Sequence, residues 1–121
     1  SIVLLLRYKG FSALFTGDLT SNKEVLIAEQ AASYGIDSLS LLKVAHHGSK
    51  YSSGEKFLST VKPQAAVISC SANNSYGHPH AETVERIEAV GAVLFRTDIS
   101  GAVTVEIDEA AGRMEVFEYV R

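Results

Sequence analysis

No tryptophan occurs in the 121 residues, and there are only one cysteine, one methionine and two prolines. A lone cysteine, Cys70, excludes an intramolecular disulfide, so packing and hydrogen bonds have to hold the fold, and cysteine usage names no compartment. Long apolar runs are also missing. Nothing approaches the roughly 20 consecutive apolar residues that cross a bilayer. The opening SIVLLLRYKG lacks the basic start and cleavage site of a signal peptide. It lacks an initiator methionine too and already reads as a core strand, so the expectation is a piece cut from a larger domain. Positive charge is short: 11 Lys and Arg against 14 Asp and Glu give a net charge of −3. That leaves no chain-wide electrostatic footprint for nucleic acid, and a polyanion would need a local basic patch, a metal or a further segment.

Hydrophobic residues make up 46% and charged residues 21%, which fits one folded domain rather than a disordered chain. The chain is organised around LLKVAHHGSKYSS, residues 41–53. An apolar run stops abruptly at two histidines, a glycine and a set of hydroxyls. It reads as a buried strand that delivers imidazoles to its carboxyl end, where open α/β folds place their chemistry. FTGDLTSN (15–22) and SANNSYGHPH (71–80) repeat the pattern. Three strand-end clusters, each followed by a helical pattern, point to one shared site.

In order, residues 2–8 and 11–16 read as a hairpin around Lys9-Gly10. A helix follows over 23–34, capped by Ser21 or Asn22, with Val25, Ala28 and Ala32 in a partly apolar stripe. The central strand lies within 36–45. Ser52 or Ser53 starts a short helix over 55–61, and 65–70 is a buried strand. Residues 81–89 form a helix, 92–96 a strand and 97–101 a turn. Residues 102–107 and 113–119 close the chain as a second hairpin. No repeats or linkers interrupt this ββαβαβαβββ order. It predicts an α/β fold, a mixed sheet with helices packed on one face and the other face in need of a partner sheet.

Each polar cluster has a plain reading beside a chemical one. Asp18 can stabilise a turn through backbone amides, or bridge two cations with its two oxygens. His46 and His47 would point to opposite faces of a regular strand. Both can act at one site only if the backbone has left strand geometry, which Gly48 favours. Ser49, Ser52 and Ser53 read first as helix-capping residues; no G-x-S-x-G elbow supports a serine hydrolase. Lys50 is either solvated or a phosphate contact. Asn73, Asn74, Tyr76, His78 and His80 share one loop, either a hydrogen-bonded turn or a set that orients substrate and moves protons. Pro79 biases His78 toward extended backbone and so fixes where its ring points. Asp98 can hold a turn or orient a histidine. Cys70 reads as a small core residue.

FTGDL, LKVAHHGSKYSS, SANNSYGHPH and RTDISGAV, in that order, resemble the C-terminal half of the metallo-β-lactamase-like domain of ComEC competence (DNA-uptake) proteins, over residues 1–107. The resemblance implies half of an αββα sandwich, residues 1–121 being a partial domain. It implies a metal-dependent hydrolase that acts on a phosphodiester, DNA during uptake being the expected substrate. A site for divalent metal, zinc first and manganese second, lies between the two halves of such a domain. On this resemblance Asp18 and His46 are the metal ligands, His47 being the alternative to His46. His47 and His78 are the catalytic candidates; Ser49, Asn74 and His78 contact substrate; Asp98 supports the site from behind. The H-x-H-x-D-H motif of the other half is absent, so this chain alone is expected to be inactive. The implied partners are DNA, the N-terminal half of the same domain, the parent's membrane channel domain and a second copy through the open face. The implied location is a soluble part of a bacterial membrane protein. An ester or lactone hydrolase of the same fold, and a non-catalytic DNA-positioning module, stand as alternatives.

Overall fold

The leucine-rich opening forms strand β1 (Leu4–Tyr8) and turns at Lys9-Gly10 into β2 (Phe11–Phe15), with Leu4 opposite Phe15 and Tyr8 opposite Phe11. Both turn residues have positive φ, 44° and 85°. That is the combination a two-residue hairpin loop requires to match strand twist. The computed structural model describes residues 1–110 and 112–119. After the hairpin come α1 (Ser21–Ser33), β3 (Leu41–Lys43), α2 (Glu55–Val61), β4 (Ala65–Ile68), α3 (Ala81–Ala89) and β5 (Val93–Arg96). A one-turn helix α4 (Thr97–Ser100) stands where the sequence suggested a turn, and β6 (Ala102–Asp108) and β7 (Arg113–Tyr119) form the closing hairpin.

The five-stranded sheet has the order β1-β2-β3-β4-β5, antiparallel at β1–β2 and parallel from β2 to β5. Parallel neighbours in chain order need crossovers of one hand, and these place all three connecting helices on the same face. Leu14, Leu42 and Ala66 point to that face and bury Ala28 of α1, Phe57, Leu58 and Val61 of α2 and Ile87 of α3 in one core. The mixed α/β architecture with helices on one side is therefore as the sequence suggested.

Local details differ. The strand within 36–45 shrinks to three residues. The buried stripe of α1 runs through Glu24, Ala28 and Ala31 rather than Val25 and Ala32. No serine caps α2; Gly54 holds the cap position, and the Glu24 carboxylate accepts the Ser53 and Gly54 N–H groups at 2.6 and 2.9 Å.

The opposite face carries Phe11, Ala13, Leu41 and Ala65, and the β6–β7 hairpin lays Val105 and Met114 on it. Lys9 and Tyr8 at one hairpin tip bond Glu109 at the other. The cover is partial. Leu4 and Leu6 remain 60% and 50% exposed, with Phe15 and Val93 also open to solvent. Exposed positions of this kind contribute little to folding. Leu4→Gln is expected to change the stability of the chain by under about 0.5 kcal/mol, read as the midpoint of urea unfolding. A large drop would mean that something covers this face.

Candidate functional site

The four parallel strands end on one edge of the sheet, with Phe15, Lys43, Val67 and Phe95 in one row. Beyond that row lie the polar clusters: Gly17-Asp18 after β2, His46-His47 after β3, Ser69 to His80 after β4, and Thr97-Asp98 after β5. This is the edge at which such sheets place their chemistry.

His46 and His47 leave strand geometry altogether. Their φ/ψ values are 50°/45° and 55°/26°, and Gly48 follows with φ 84°. Three consecutive left-handed residues are uncommon, and for each non-glycine the conformation costs on the order of 1–3 kcal/mol. The turn is held from both sides. The His46 N–H donates to the Gly17 carbonyl at 2.8 Å, and the Ser49 N–H donates back to the His46 carbonyl at 3.0 Å. The sequence argument that adjacent histidines need a broken strand thus holds, but the histidines themselves make the break, ahead of the glycine.

Nδ1 of His46 is buried and has no hydrogen-bond partner among the described residues. An uncompensated buried nitrogen is costly, and it marks a place where a further partner belongs. His47 is exposed, and its Nδ1 lies 2.6 Å from the Ser69 carbonyl oxygen. Only a protonated Nδ1 can donate to a carbonyl, so in the neutral ring Nε2 keeps the lone pair; this is the arrangement that fits an imidazole as ligand or base.

The loop after β4 brings the third ring. His46 and His78 centroids are 5.5 Å apart, edge to face, while His47 lies roughly parallel to His78 at 6.1 Å. Tyr76 also stacks on His78, at 5.7 Å and 22°. Asn74 fixes the loop: its side chain donates to the Ser71 and His78 carbonyls and accepts the His78 N–H, all at 2.7–2.8 Å. Burial lowers the pKa of His78, and the neighbouring His80, His46 and His47 lower it further. His78 is thus held toward its neutral form. His80 lies edge to face with His78, centroids 5.1 Å apart, and its Nδ1 accepts the Lys50 N–H at 2.8 Å. His47, Ser69, Cys70, Ser71, Asn74, Tyr76 and His78 line a cleft of about 340 Å³.

Asp18 is exposed, and its N–H donates to the Ser1 hydroxyl at 3.2 Å. Its charge reaches Lys43, whose pKa burial pushes down and Asp18 draws back up. Ser49 is buried beneath the histidine turn, where its Oγ accepts the Tyr51 N–H and its carbonyl accepts the Thr83 hydroxyl. Asp98 pairs with Arg96, two contacts of 3.1 and 2.7 Å, which holds its carboxyl below the usual range; it also lies against Cys70. Among the described residues no three His, Cys, Asp or Glu side chains converge as a metal-holding group, and no helix is long and apolar enough to cross a membrane. Of the residues singled out in the sequence, the structure therefore gathers His46, His47, His78, His80 and Asn74. It puts Ser49 under them and Asp98 beside an arginine.

Arg96, Arg86 and the buried Glu24 were not anticipated as parts of this edge. Arg86 donates to the Lys50, Ser52 and Ser53 carbonyls. The one sequence signal for Arg96 was its place two residues before Asp98, close enough for the two charges to meet.

No protein-family model matches the chain. It is 33% identical over 117 residues to ComE operon protein 3 of Bacillus subtilis (strain 168), covering 97% of this chain and 15% of that protein. It is 37% identical over 124 residues to competence protein ComA of Neisseria gonorrhoeae, covering 98% and 17%. It is 34% identical over 105 residues to recombination protein 2 of Haemophilus influenzae (strain ATCC 51907 / DSM 11121 / KW20 / Rd), covering 87% and 13%. The chain thus spans 13–17% of the length of these curated relatives. Over nearly its whole length it is a homologue of one segment of the ComEC-type competence proteins.

Proposed function

We propose that this chain is the C-terminal half of a metallo-β-lactamase-like hydrolase domain that acts on phosphodiesters of DNA during uptake. The observation that carries the reading is the strained histidine turn. Two imidazoles are forced into left-handed backbone at a parallel-strand end, one with an orphaned buried Nδ1 and the other with its tautomer set by a carbonyl. Strain of this kind persists where the surrounding structure sustains it, and it clusters at functional sites. The names of the relatives, two of them competence proteins or operon products, supply the biological setting.

The donor set fits a divalent metal in part. His46 Nδ1 and the Asp18 carboxylate are the ligands this chain offers, with His47 Nε2 as the alternative imidazole. A catalytic zinc site takes three protein ligands and an open position, so the remaining donors belong to residues outside this chain. When bound, the ion would polarise a phosphoryl oxygen and acidify a water. The chain's own residues would do the rest. His47 accepts a proton at Nε2 while Ser69 holds the ring. His78, kept neutral, contacts the phosphate or passes a proton. Asn74 fixes that loop. Leu4, Leu6, Phe15 and Val93 are the surface on which the other half of the domain would pack. The membrane channel domain of the parent, or a second copy of the chain, are further partners for it.

The test is metal content of the protein extended upstream by about 100 residues. Near-stoichiometric zinc or manganese, lost in Asp18→Ala and in His46→Ala, is the expected result. Chelator-sensitive cleavage of an oligonucleotide, and not of a lactone, then separates the phosphodiesterase from an ester hydrolase of the same fold. A second reading, a non-catalytic DNA-positioning module, draws on the lack of a three-ligand group among the described residues. An extended protein without bound metal would favour it.

A further inference from the structure

We propose that Tyr76 is a stacking platform for one unpaired base of a single DNA strand, and that it holds the strand beside the histidine cluster. The inference deepens the phosphodiester reading above and rests on it for the choice of DNA.

Tyr76 is 76% exposed, yet it is not loose: its ring lies nearly parallel to His78, whose loop Asn74 clamps with three hydrogen bonds. An exposed aromatic fixed in this way retains an open flat face at low entropic cost to a ligand. Other exposed tyrosines are differently placed. Tyr34 ends α1, and Tyr51 sits beside the Lys50 ammonium. Tyr76 alone among these three borders the cleft that contains His47 and His78. At about 340 Å³ that cleft is at the small end of ligand sites.

The class of ligand follows from the geometry. A π-face recognises any base without reading its edge, so binding tolerates sequence. Bases in a duplex already have both faces covered, so the platform selects a single strand. Stacking at Tyr76 would set the adjoining phosphate close to His78 and His47, because the Tyr76–His78 and His47–His78 centroids are 5.7 and 6.1 Å apart.

The experiment is fluorescence anisotropy of the 121-residue chain in EDTA, which removes any contribution from metal. The probes are a labelled single-stranded thymidine 15-mer, the same strand with abasic sites, and a duplex. The intact strand is expected to bind about tenfold tighter than the abasic strand. Tyr76→Phe should keep that gap and Tyr76→Ala should close it, with circular dichroism confirming that both variants are folded. Equal binding of intact and abasic strands, a gap unchanged in Tyr76→Ala, or no binding of any strand would each overturn the platform. The first two leave the phosphodiesterase reading standing. Conversely, an extended protein without metal would remove that reading while a closed gap in Tyr76→Ala still supported the platform.

Discussion

Replacing Gly48 by alanine is expected to lower the stability of the chain by about 3 kcal/mol, the sum of overpacking and left-handed strain. The sources are separable. The φ of 84° is one that side-chain-bearing residues rarely adopt. The added Cβ would also lie 2.6 Å from the Cβ of Pro79 and 3.1 Å from its Cα. The prolyl ring cannot swing aside as a flexible side chain would. The neighbouring His80 N–H is bonded to the Gly48 carbonyl at 3.0 Å, so the two loops are also tied through the backbone. Small domains have a total of about 5–15 kcal/mol, so a loss of this size should shift the urea midpoint clearly. The double variant Gly48→Ala with Pro79→Gly removes the 2.6 Å overlap with the prolyl Cβ and keeps the approach to Cα and the strained φ. It should show a favourable coupling of about 1–2 kcal/mol, because contacting residues are not additive. Strict additivity would sink the steric account. The same overlap predicts a site effect: pushing Pro79 away moves His78 and His80, so the imidazole resonances of both should shift in Gly48→Ala.

The contact between Gly48 and Pro79 also shows what the sequence could and could not convey. The elements were legible because their signals are local. Apolar runs ending in polar clusters gave β2, β3 and β4 and the edge they share, and residues 81–89 matched α3 in full. Gly48 was legible as a place where the strand ends. The left-handed backbone of His46 and His47 was not, because it is imposed by distant groups: the Gly17 carbonyl on one side and the loop after β4 on the other. Ser49, Ser52 and Ser53 read naturally as caps, yet all three are buried, and the Ser52 hydroxyl bonds the Leu19 carbonyl instead. Asp98 was read as support for a histidine, whereas Arg96, two residues away, engages it first. In each case the deciding partner lies outside any local window or competes at closer range. The DNA-uptake reading came from the order of four motifs, which carries more than any one of them.

Glu24→Ala is expected to cost about 3 kcal/mol, because one buried and one half-buried backbone N–H lose their acceptor at about 1–3 kcal/mol each. The carboxylate sits inside the fold, 1% exposed, and ties α1 to the start of α2 through Ser53 and Gly54. Arg86 of α3 grips the same segment by the carbonyls of Lys50, Ser52 and Ser53. The loop that follows the histidine turn is therefore clamped by its N–H groups from one helix and by its carbonyls from another. Glu24→Gln is the sharper probe. It keeps the shape, but its amide N–H₂ has to face one of the two donors, so a loss of about 1–2 kcal/mol is expected near pH 4, where the parent's carboxyl holds its proton.

The pH dependence has a definite sign. Burial raises the Glu24 pKa above its ordinary 4.5, and the two backbone donors and then Arg86 offset this only in part. The folded state therefore holds the proton more tightly than the unfolded state. The resulting stabilisation is fully present below pH 4.5 and is lost as pH rises through the folded-state pKa. Asp98, with its pKa depressed by Arg96, contributes in the opposite direction: its share is present above the ordinary 3.8 and lost as pH falls. The two are separated by difference. Urea midpoints of the parent chain and Glu24→Gln, measured from pH 4 to 8, should converge as pH rises insofar as the parent's advantage comes from the bound proton, since glutamine cannot titrate. A difference that instead widened with pH would mean that the ionised carboxylate is the better acceptor by more than its burial costs, and would reverse the sign assigned to Glu24.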